Sequence, residues 1–311
     1  MYILYLLIGI ACLYLGAESL VEGSSSIALS FGVRKMVVAL TIVALGTSMP
    51  EFIVSFFGVI KGADSVSVGN IVGSNIANLL LVLGVSALFS PITIEKRTLK
   101  LDFPFLMMII GSFIFFCYDG VLSRVDGVIL FLLFSSYMIY LFLNKESLDT
   151  DEIEEQDKRD ASLLKNIFLS IMGIGGLIAG GNFTVKGGVR LAQRLGISEL
   201  TIGLSVVALG TSLPEVFTSV VASIKKEHSI SIGNVIGSNL FNTAFVLGLI
   251  PIISSLSVET RVVNFNNWFM AGAHILLLIV ILLRKKIGRV TGFVFLLLYA
   301  FFLINLKLYM I

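Results

Sequence analysis

The chain is a succession of long apolar stretches separated by short polar ones. Stretches of about 20 residues or more, enough to cross a bilayer core of about 30 Å, fall near 2–27, 34–60, 66–89, 99–118 and 124–143. They resume near 164–191, 198–224, 229–253, 263–283 and 290–309. The pattern predicts ten transmembrane helices. Two of them, 34–60 and 198–224, are interrupted by Pro50 and Pro214. The single long hydrophilic segment, "NKESLDTDEIEEQDKRD", separates two sets of five. The expected division is 1–143, an acidic linker 144–163, and 164–311.

Composition narrows the class. Of 311 residues, 57% are apolar and only 14% charged, with mean hydropathy +1.00. Soluble domains carry roughly 45–50% apolar residues, so the expected class is an all-α integral membrane protein whose main partner is the lipid bilayer. A net charge of +2 without an arginine-rich patch gives no reason to expect nucleic acid, and no obligatory protein partner is evident. Cys12 and Cys117 lie in apolar stretches and read as packed or lipid-facing thiols. "MYILYLLIGIACLYLG" has neither a basic leader nor a small-residue cleavage site, and reads as a first span.

With ten spans, 15 of the 22 Lys and Arg fall on the side of the linker and seven on the other. The positive-inside rule then makes the linker cytoplasmic and both termini external, in a cell membrane. Lys186, Arg190 and Arg194 go against the tally unless they extend a long sixth helix and snorkel outward. The acidic residues of the linker, Glu146 to Asp160, read as a solvated charge run. Glu18 and Glu22 read as interfacial or as part of an external entrance.

An internal repeat is the strongest signal. Residues 41–84 align without gaps onto 205–248 at an offset of 164, with 22 of 44 identical. "ALGTSMPE" pairs with "ALGTSLPE", and "SVSVGNIVGSNIAN" with "SISIGNVIGSNLFN". Two similar halves with an odd number of spans enter the membrane in opposite directions. That is the inverted repeat of secondary transporters, whose sites lie where the repeats meet.

The repeated motif concentrates oxygen donors. Pro50 cannot donate to the Gly46 carbonyl, and irregular backbone at membrane depth persists only when buried or lining a cavity. The bend is expected to open the backbone from Ala44 to Thr47 beside the hydroxyls of Thr47 and Ser48. Thr47 and Ser48 precede Glu51 by four and three residues, on its helix face. Ala208, Thr211, Ser212 and Glu215 form the second copy. On the next span Asn70, Ser74 and Asn78 share a face, as do Asn234, Ser238 and Asn242, and Gly69/Gly73 and Gly233/Gly237 favour close helix approach. Interhelical hydrogen bonding is a sufficient role for the asparagines alone. An ion-paired structural role for Glu51 and Glu215 lacks a Lys or Arg at matching depth, so function is the default reading for both.

Two facing buried carboxylates repel, and a cation between them satisfies both. Carboxylate, hydroxyl, carboxamide and carbonyl oxygens suit Ca²⁺ or Na⁺ and not zinc or copper. His228 at a loop and His274 in an apolar span read as solvated and packed. No HExxH, Walker or Cys/His arrangement suggests an enzyme. Proton-coupled antiport and a carboxylate-ringed channel remain as alternatives.

"GTSMPE…GNIVGSNIAN" with "GTSLPE…GNVIGSNLFN" resembles the two α-repeats of the sodium/calcium exchanger family, within the calcium:cation antiporter superfamily. The resemblance covers nearly the whole chain. It implies Na⁺/Ca²⁺ exchange by alternating access, with no cofactor and the two ions as cargo. Spans 2, 3, 7 and 8 would form the core, and long spans 1 and 6 would slide across it. Glu51 and Glu215 would be the central ligands, with Thr47, Ser48, Thr211 and Ser212 and the carbonyls of Ala44 and Ala208. Ser74, Asn78, Ser238 and Asn242 would complete flanking Na⁺ positions. Several prokaryotic members and the potassium-dependent branch carry Asp where this chain has Asn242, which implies a site of only two formal charges and exchange independent of K⁺. The linker is too short for the Ca²⁺-sensing domains of larger relatives.

Overall fold

The computed structural model describes residues 2–144, 162–195 and 208–309. The acidic linker and the start of the expected seventh span lie outside them. The first apolar stretch forms α1 (Tyr2–Ser30). The second is a broken span, α2 (Lys35–Thr47) and α3 (Met49–Ile60), bent by 48°. Then come α4 (Ser67–Phe89), α5 (Thr98–Phe116), α6 (Arg124–Leu143) and α7 (Leu163–Arg194). The second PE motif opens α9 (Leu213–Ile224), preceded by the single turn α8 (Ala208–Thr211). α10 (His228–Ile253), α11 (Val262–Arg284) and α12 (Arg289–Tyr309) complete the chain. Among the described residues, eight helices are long and apolar enough to span, or nine with the bent pair counted as one.

Burial separates core from periphery. The most apolar windows of α4 and α10 are 78% buried, against 22–39% for the other six long helices. Helices buried on all sides can carry polar residues facing each other, and α4 and α10 hold the asparagine motifs. The peripheral helices turn residues such as Phe115, Leu143, Leu164 and Leu283 outward, as a lipid-facing surface requires.

The sequence pattern did not announce how α1 and α7 pack. They are 29 and 32 residues long, about 44 and 48 Å at 1.5 Å per residue, well beyond a bilayer core of about 30 Å. Glycines every seven residues form their seam. A Cβ on Gly16 would lie 2.9 Å from the Gly173 carbonyl oxygen, and one on Gly9 would lie 3.0 Å from that of Gly180. Since 9 and 16 map onto 173 and 180 at the repeat offset, each glycine meets the counterpart of its neighbour. Lys186, Arg190 and Arg194 sit within α7. Arg190 stacks on the Tyr5 ring at 4.7 Å, and Arg194 on that of Tyr2 at 5.5 Å, so two of the three basic residues find aromatic partners on α1.

Two antiparallel strand pairs tie the loops. β1 (Ile92–Thr93) pairs with β4 (Lys286–Ile287), and β2 (Val121–Leu122) with β3 (Leu256–Ser257). Each pair joins one half of the chain to the other. Partly buried ion pairs reinforce the first of these ends: Arg34 with Glu95, and Lys35 with Glu227 at 2.8 Å. Glu18 and Glu22 lie toward the same end, with Lys225 Nζ 3.0 Å from Glu18 Oε1.

π-helical turns recur at matched positions: Asn78–Val82 with Phe241–Val246, and Thr98–Asp102 with Val262–Asn266. A wider turn displaces side chains around the axis and is frequent at functional sites. Here the first matched pair begins at or just before Asn78 and Asn242.

Candidate cation site

Proline explains the local geometry of both PE motifs. Pro50 and Pro214 occupy the first turn of their helices, where a missing N–H costs little. Ser48 and Ser212 adopt nearly the same conformation before them, φ −86°, ψ 6° and φ −86°, ψ 2°. The break leaves Glu51 and Glu215 at helix N-termini, where the helix dipole favours negative charge. Each carboxylate also meets its own backbone N–H.

The two motifs then cross. Ser48 Oγ donates to Glu215 Oε1 at 3.0 Å, and Ser212 Oγ to Glu51 Oε1 at 3.4 Å. Ser74 and Thr211 also reach the Glu51 carboxylate, and Thr47 reaches that of Glu215. Thr47 Oγ1 donates to Asn234 Oδ1 at 3.0 Å and lies 3.4 Å from Ser238 Oγ. Both glutamates are buried, at 1% and 0% exposure, and among the described residues no Lys or Arg side chain forms an ion pair with either.

The asparagine helices hold these half-helices in register. Asn70 Nδ2 donates to the Glu51 carbonyl at 3.4 Å and to Ser55 Oγ at 3.0 Å. Asn234 does the same to the Glu215 carbonyl and Ser219, at 3.4 and 3.0 Å. These two asparagines are brackets between helices. Asn78 and Asn242 differ: their amide nitrogens are used, to Asn239 Oδ1 at 3.1 Å and Asn75 Oδ1 at 3.3 Å. Their carbonyl oxygens have no hydrogen-bond partner, and neither do Glu51 Oε2 and Glu215 Oε2. Four buried acceptor oxygens, in two pairs related by the 164-residue offset, are left over.

Ten of the twelve sequence-predicted residues contribute buried side chains to this centre or its immediate hydrogen-bond partners. Ala44 belongs through its carbonyl, which accepts from the Ser48 N–H at 3.0 Å and Thr47 Oγ1 at 3.3 Å. It therefore keeps its helical bond despite the bend. Ala208 begins α8, and its side chain lies outside the described residues. The sequence reading missed Asn75 and Asn239, which orient Asn242 and Asn78. Both stand in the repeated GSN triplet, but a four-residue stripe passes them by. His274 is also part of this network, 3.0 Å from the Asn239 amide nitrogen.

Among the described residues there is no cluster of three or more His, Cys, Asp and Glu. Two carboxylates with hydroxyl and carboxamide oxygens make a hard donor set, suited to Ca²⁺ or Na⁺ and unsuited to soft transition metals. Fold and site define a multi-spanning membrane protein with a buried, oxygen-lined candidate centre between two like motifs. The chain belongs to the sodium/calcium exchanger protein family, whose model matches residues 1–143 and 165–307. It is therefore a secondary transporter and not an enzyme.

Relatives agree over nearly full length. The sodium/calcium exchanger MaX1 of Methanosarcina acetivorans is 31% identical over 341 residues, covering 97% of both chains. A membrane protein of Methanocaldococcus jannaschii is 36% identical over 307 residues, covering 98% of this chain and 97% of its own. Among solved structures, the sodium-calcium exchanger NCX_Mj soaked with Na⁺ and Ca²⁺ superposes with a TM-score of 0.85 at 33% identity, covering 96% of each chain.

Proposed function

We propose that the protein exchanges Na⁺ for Ca²⁺ across a cell membrane by alternating access at one shared site. The observation that carries this reading is the set of four leftover acceptor oxygens, Glu51 Oε2, Glu215 Oε2, Asn78 Oδ1 and Asn242 Oδ1. A buried acceptor without a donor costs about 1–3 kcal/mol, more when charged, and a bound cation removes that penalty at all four. Glu51 and Glu215 are the central ligands. Thr47, Ser48, Thr211, Ser212 and the Ala44 and Ala208 carbonyls stand around them, and Ser74, Asn78, Ser238 and Asn242 complete flanking Na⁺ positions. The names of MaX1 and NCX_Mj support this choice of ions.

The architecture we propose is ten spans in two inverted five-helix repeats, 1–143 and 164–311, joined by a cytoplasmic acidic linker with both termini external. The strand pairs support it, since each joins loops that the charge tally assigns to one side. The paired helices α1 and α7, held by their glycine seam, are the element that slides across the core. Ca²⁺ neutralises two carboxylates, whereas three Na⁺ leave one positive charge. An empty site keeps two unpaired negative charges, which are costly to carry across the membrane and so enforce exchange over leak.

The test is ⁴⁵Ca²⁺ uptake into proteoliposomes under separately imposed Na⁺, K⁺ and H⁺ gradients, with wild type and the Glu51→Gln and Glu215→Gln variants. Uptake should follow the Na⁺ gradient, need no K⁺, and nearly vanish in both variants. Uptake driven by a pH gradient without Na⁺ would favour proton coupling. Flux needing no counter-ion on the opposite side would favour a channel. Full exchange by a well-folded Glu→Gln variant would sink the site assignment.

A further inference from the structure

His274 is fully buried in α11, and both of its ring nitrogens are engaged. Nδ1 lies 2.8 Å from the Met270 carbonyl oxygen. A carbonyl can only accept, so Nδ1 carries the proton, and in the neutral ring Nε2 is left as an acceptor. Nε2 lies 3.0 Å from Asn239 Nδ2, which therefore donates to it. The second amide hydrogen of Asn239 goes to the Asn75 carbonyl at 3.3 Å. With its nitrogen held on that side, Asn239 turns Oδ1 toward Asn78 and accepts from Asn78 Nδ2 at 3.1 Å. Asn78 in turn has its nitrogen committed and its Oδ1 left over.

We infer that His274 is a positioning residue that, through Asn239, sets which end of the Asn78 amide faces the cation. The inference rests on the site reading above. A carboxamide is nearly symmetric in shape, so packing alone does not choose between presenting C=O, which binds a cation, and NH₂, which repels it. The choice is made by fixed partners along the relay, and the relay ends on a backbone carbonyl that cannot change role. Outer partners of this kind commonly orient ion ligands.

Among the described residues the device exists in one repeat only. At the repeat offset His274 corresponds to Ile110, an apolar core residue. On that side the counterpart of Asn239, Asn75, donates to Thr243 Oγ1 at 2.7 Å. The two asparagine arms of the site are therefore oriented by different chemistry, and disturbing His274 acts on Asn78 and leaves Asn242 with its own partner.

The experiment measures half-saturating Ca²⁺ and maximal rate of ⁴⁵Ca²⁺ exchange in proteoliposomes. His274→Leu removes the acceptor and should raise half-saturating Ca²⁺ about five- to tenfold, the weight of one hydrogen bond, with the maximal rate kept within about twofold. His274→Gln, which returns an acceptor oxygen, should recover most of the loss. In an Asn78→Ala background His274→Leu should add almost nothing, because the relay has no end to set. Unchanged affinity in His274→Leu, equal impairment in Leu and Gln variants, or additive effects with Asn78→Ala would each overturn the inference. Should His274→Leu not fold, Asn239→Ala cuts the relay at its middle, and normal affinity there overturns it equally. Glu51→Gln run in parallel separates the two failures: exchange surviving in it defeats the site reading, whereas loss of exchange there with normal His274→Leu defeats only the relay.

Discussion

Ser48 donates its hydroxyl hydrogen to Glu215 Oε1 at 3.0 Å, across 167 residues of sequence and from one repeat to the other. The reciprocal bond, Ser212 to Glu51 Oε1, is longer, at 3.4 Å. Each glutamate is therefore held by the serine two residues before the other's proline, and neither half can form its carboxylate environment alone.

Removing that crossing should weaken ion binding unequally. A hydrogen bond to a charged group contributes about 1.5–3 kcal/mol, so Ser48→Ala should raise half-saturating Ca²⁺ by roughly tenfold or more. Ser212→Ala should cost less, in keeping with its longer contact. Equilibrium ⁴⁵Ca²⁺ binding to purified protein would check both, and equal effects would argue that the asymmetry carries no energy.

Asn242→Asp adds a third carboxylate. In the wild type three Na⁺ would carry the site at one net positive charge and Ca²⁺ would carry it neutral. The variant should move neutrality to the Na⁺-loaded form and leave the Ca²⁺-loaded form negative. Charge movement on a solid-supported membrane, triggered by Na⁺ alone or Ca²⁺ alone, would detect the switch. Asn75 must turn its amide for this, because its Oδ1 now accepts from Asn242 Nδ2 at 3.3 Å.

The glycine seam should be intolerant of side chains. A Cβ at Gly173 would stand 2.6 Å from the Leu20 backbone nitrogen and 2.8 Å from the Gly16 carbonyl oxygen, atoms that cannot move aside as a side chain tip can. Gly173→Leu should lower stability by at least the roughly 1–3 kcal/mol typical of overpacking. A thermal-unfolding midpoint in detergent would register it. Gly175→Ala, with nothing within 4 Å among the described residues, should leave the midpoint nearly unchanged.

The ion pair of Lys35 and Glu227 closes one end of the bundle, with Ser25 Oγ donating to the same carboxylate at 3.1 Å. Removing one member of a fully buried pair commonly costs about 3–5 kcal/mol, because the other charge stays behind, and this partly buried pair should cost less. Lys35→Met should therefore lower the unfolding midpoint, and Lys35→Met with Glu227→Met should recover much of it. A double variant no better than the single would show that other groups carry the coupling.

Much of the site was legible because its chemistry is costly in an apolar setting. A proline and a glutamate in the middle of a span, repeated at a constant offset, stand out against Leu, Ile and Val. The sequence picked out Glu51, Glu215 and their neighbouring hydroxyls for that reason. Asn75, Asn239 and His274 did not stand out. One asparagine beside another looks redundant on a helical wheel, and a lone histidine in an apolar helix is usually a packed one. The π-helical turns that begin at or just before Asn78 and Asn242 also shift the side-chain register, so ideal helical spacing misjudges the faces there.

Hydrophobic patterning and the repeat by themselves determined the class of molecule and pointed to most spans of the described residues and to a candidate centre, since each follows from the free energy of placing residues in a bilayer. What tertiary structure alone decided is who meets whom. That Ser48 serves Glu215, that Gly16 packs on Gly173, and that the Asn78 oxygen is left over while its nitrogen is taken depend on close packing between helices distant in sequence. Even where a single chain carries a periodic trace of such contacts, as in the glycines of α1 and α7, the trace does not name the partner.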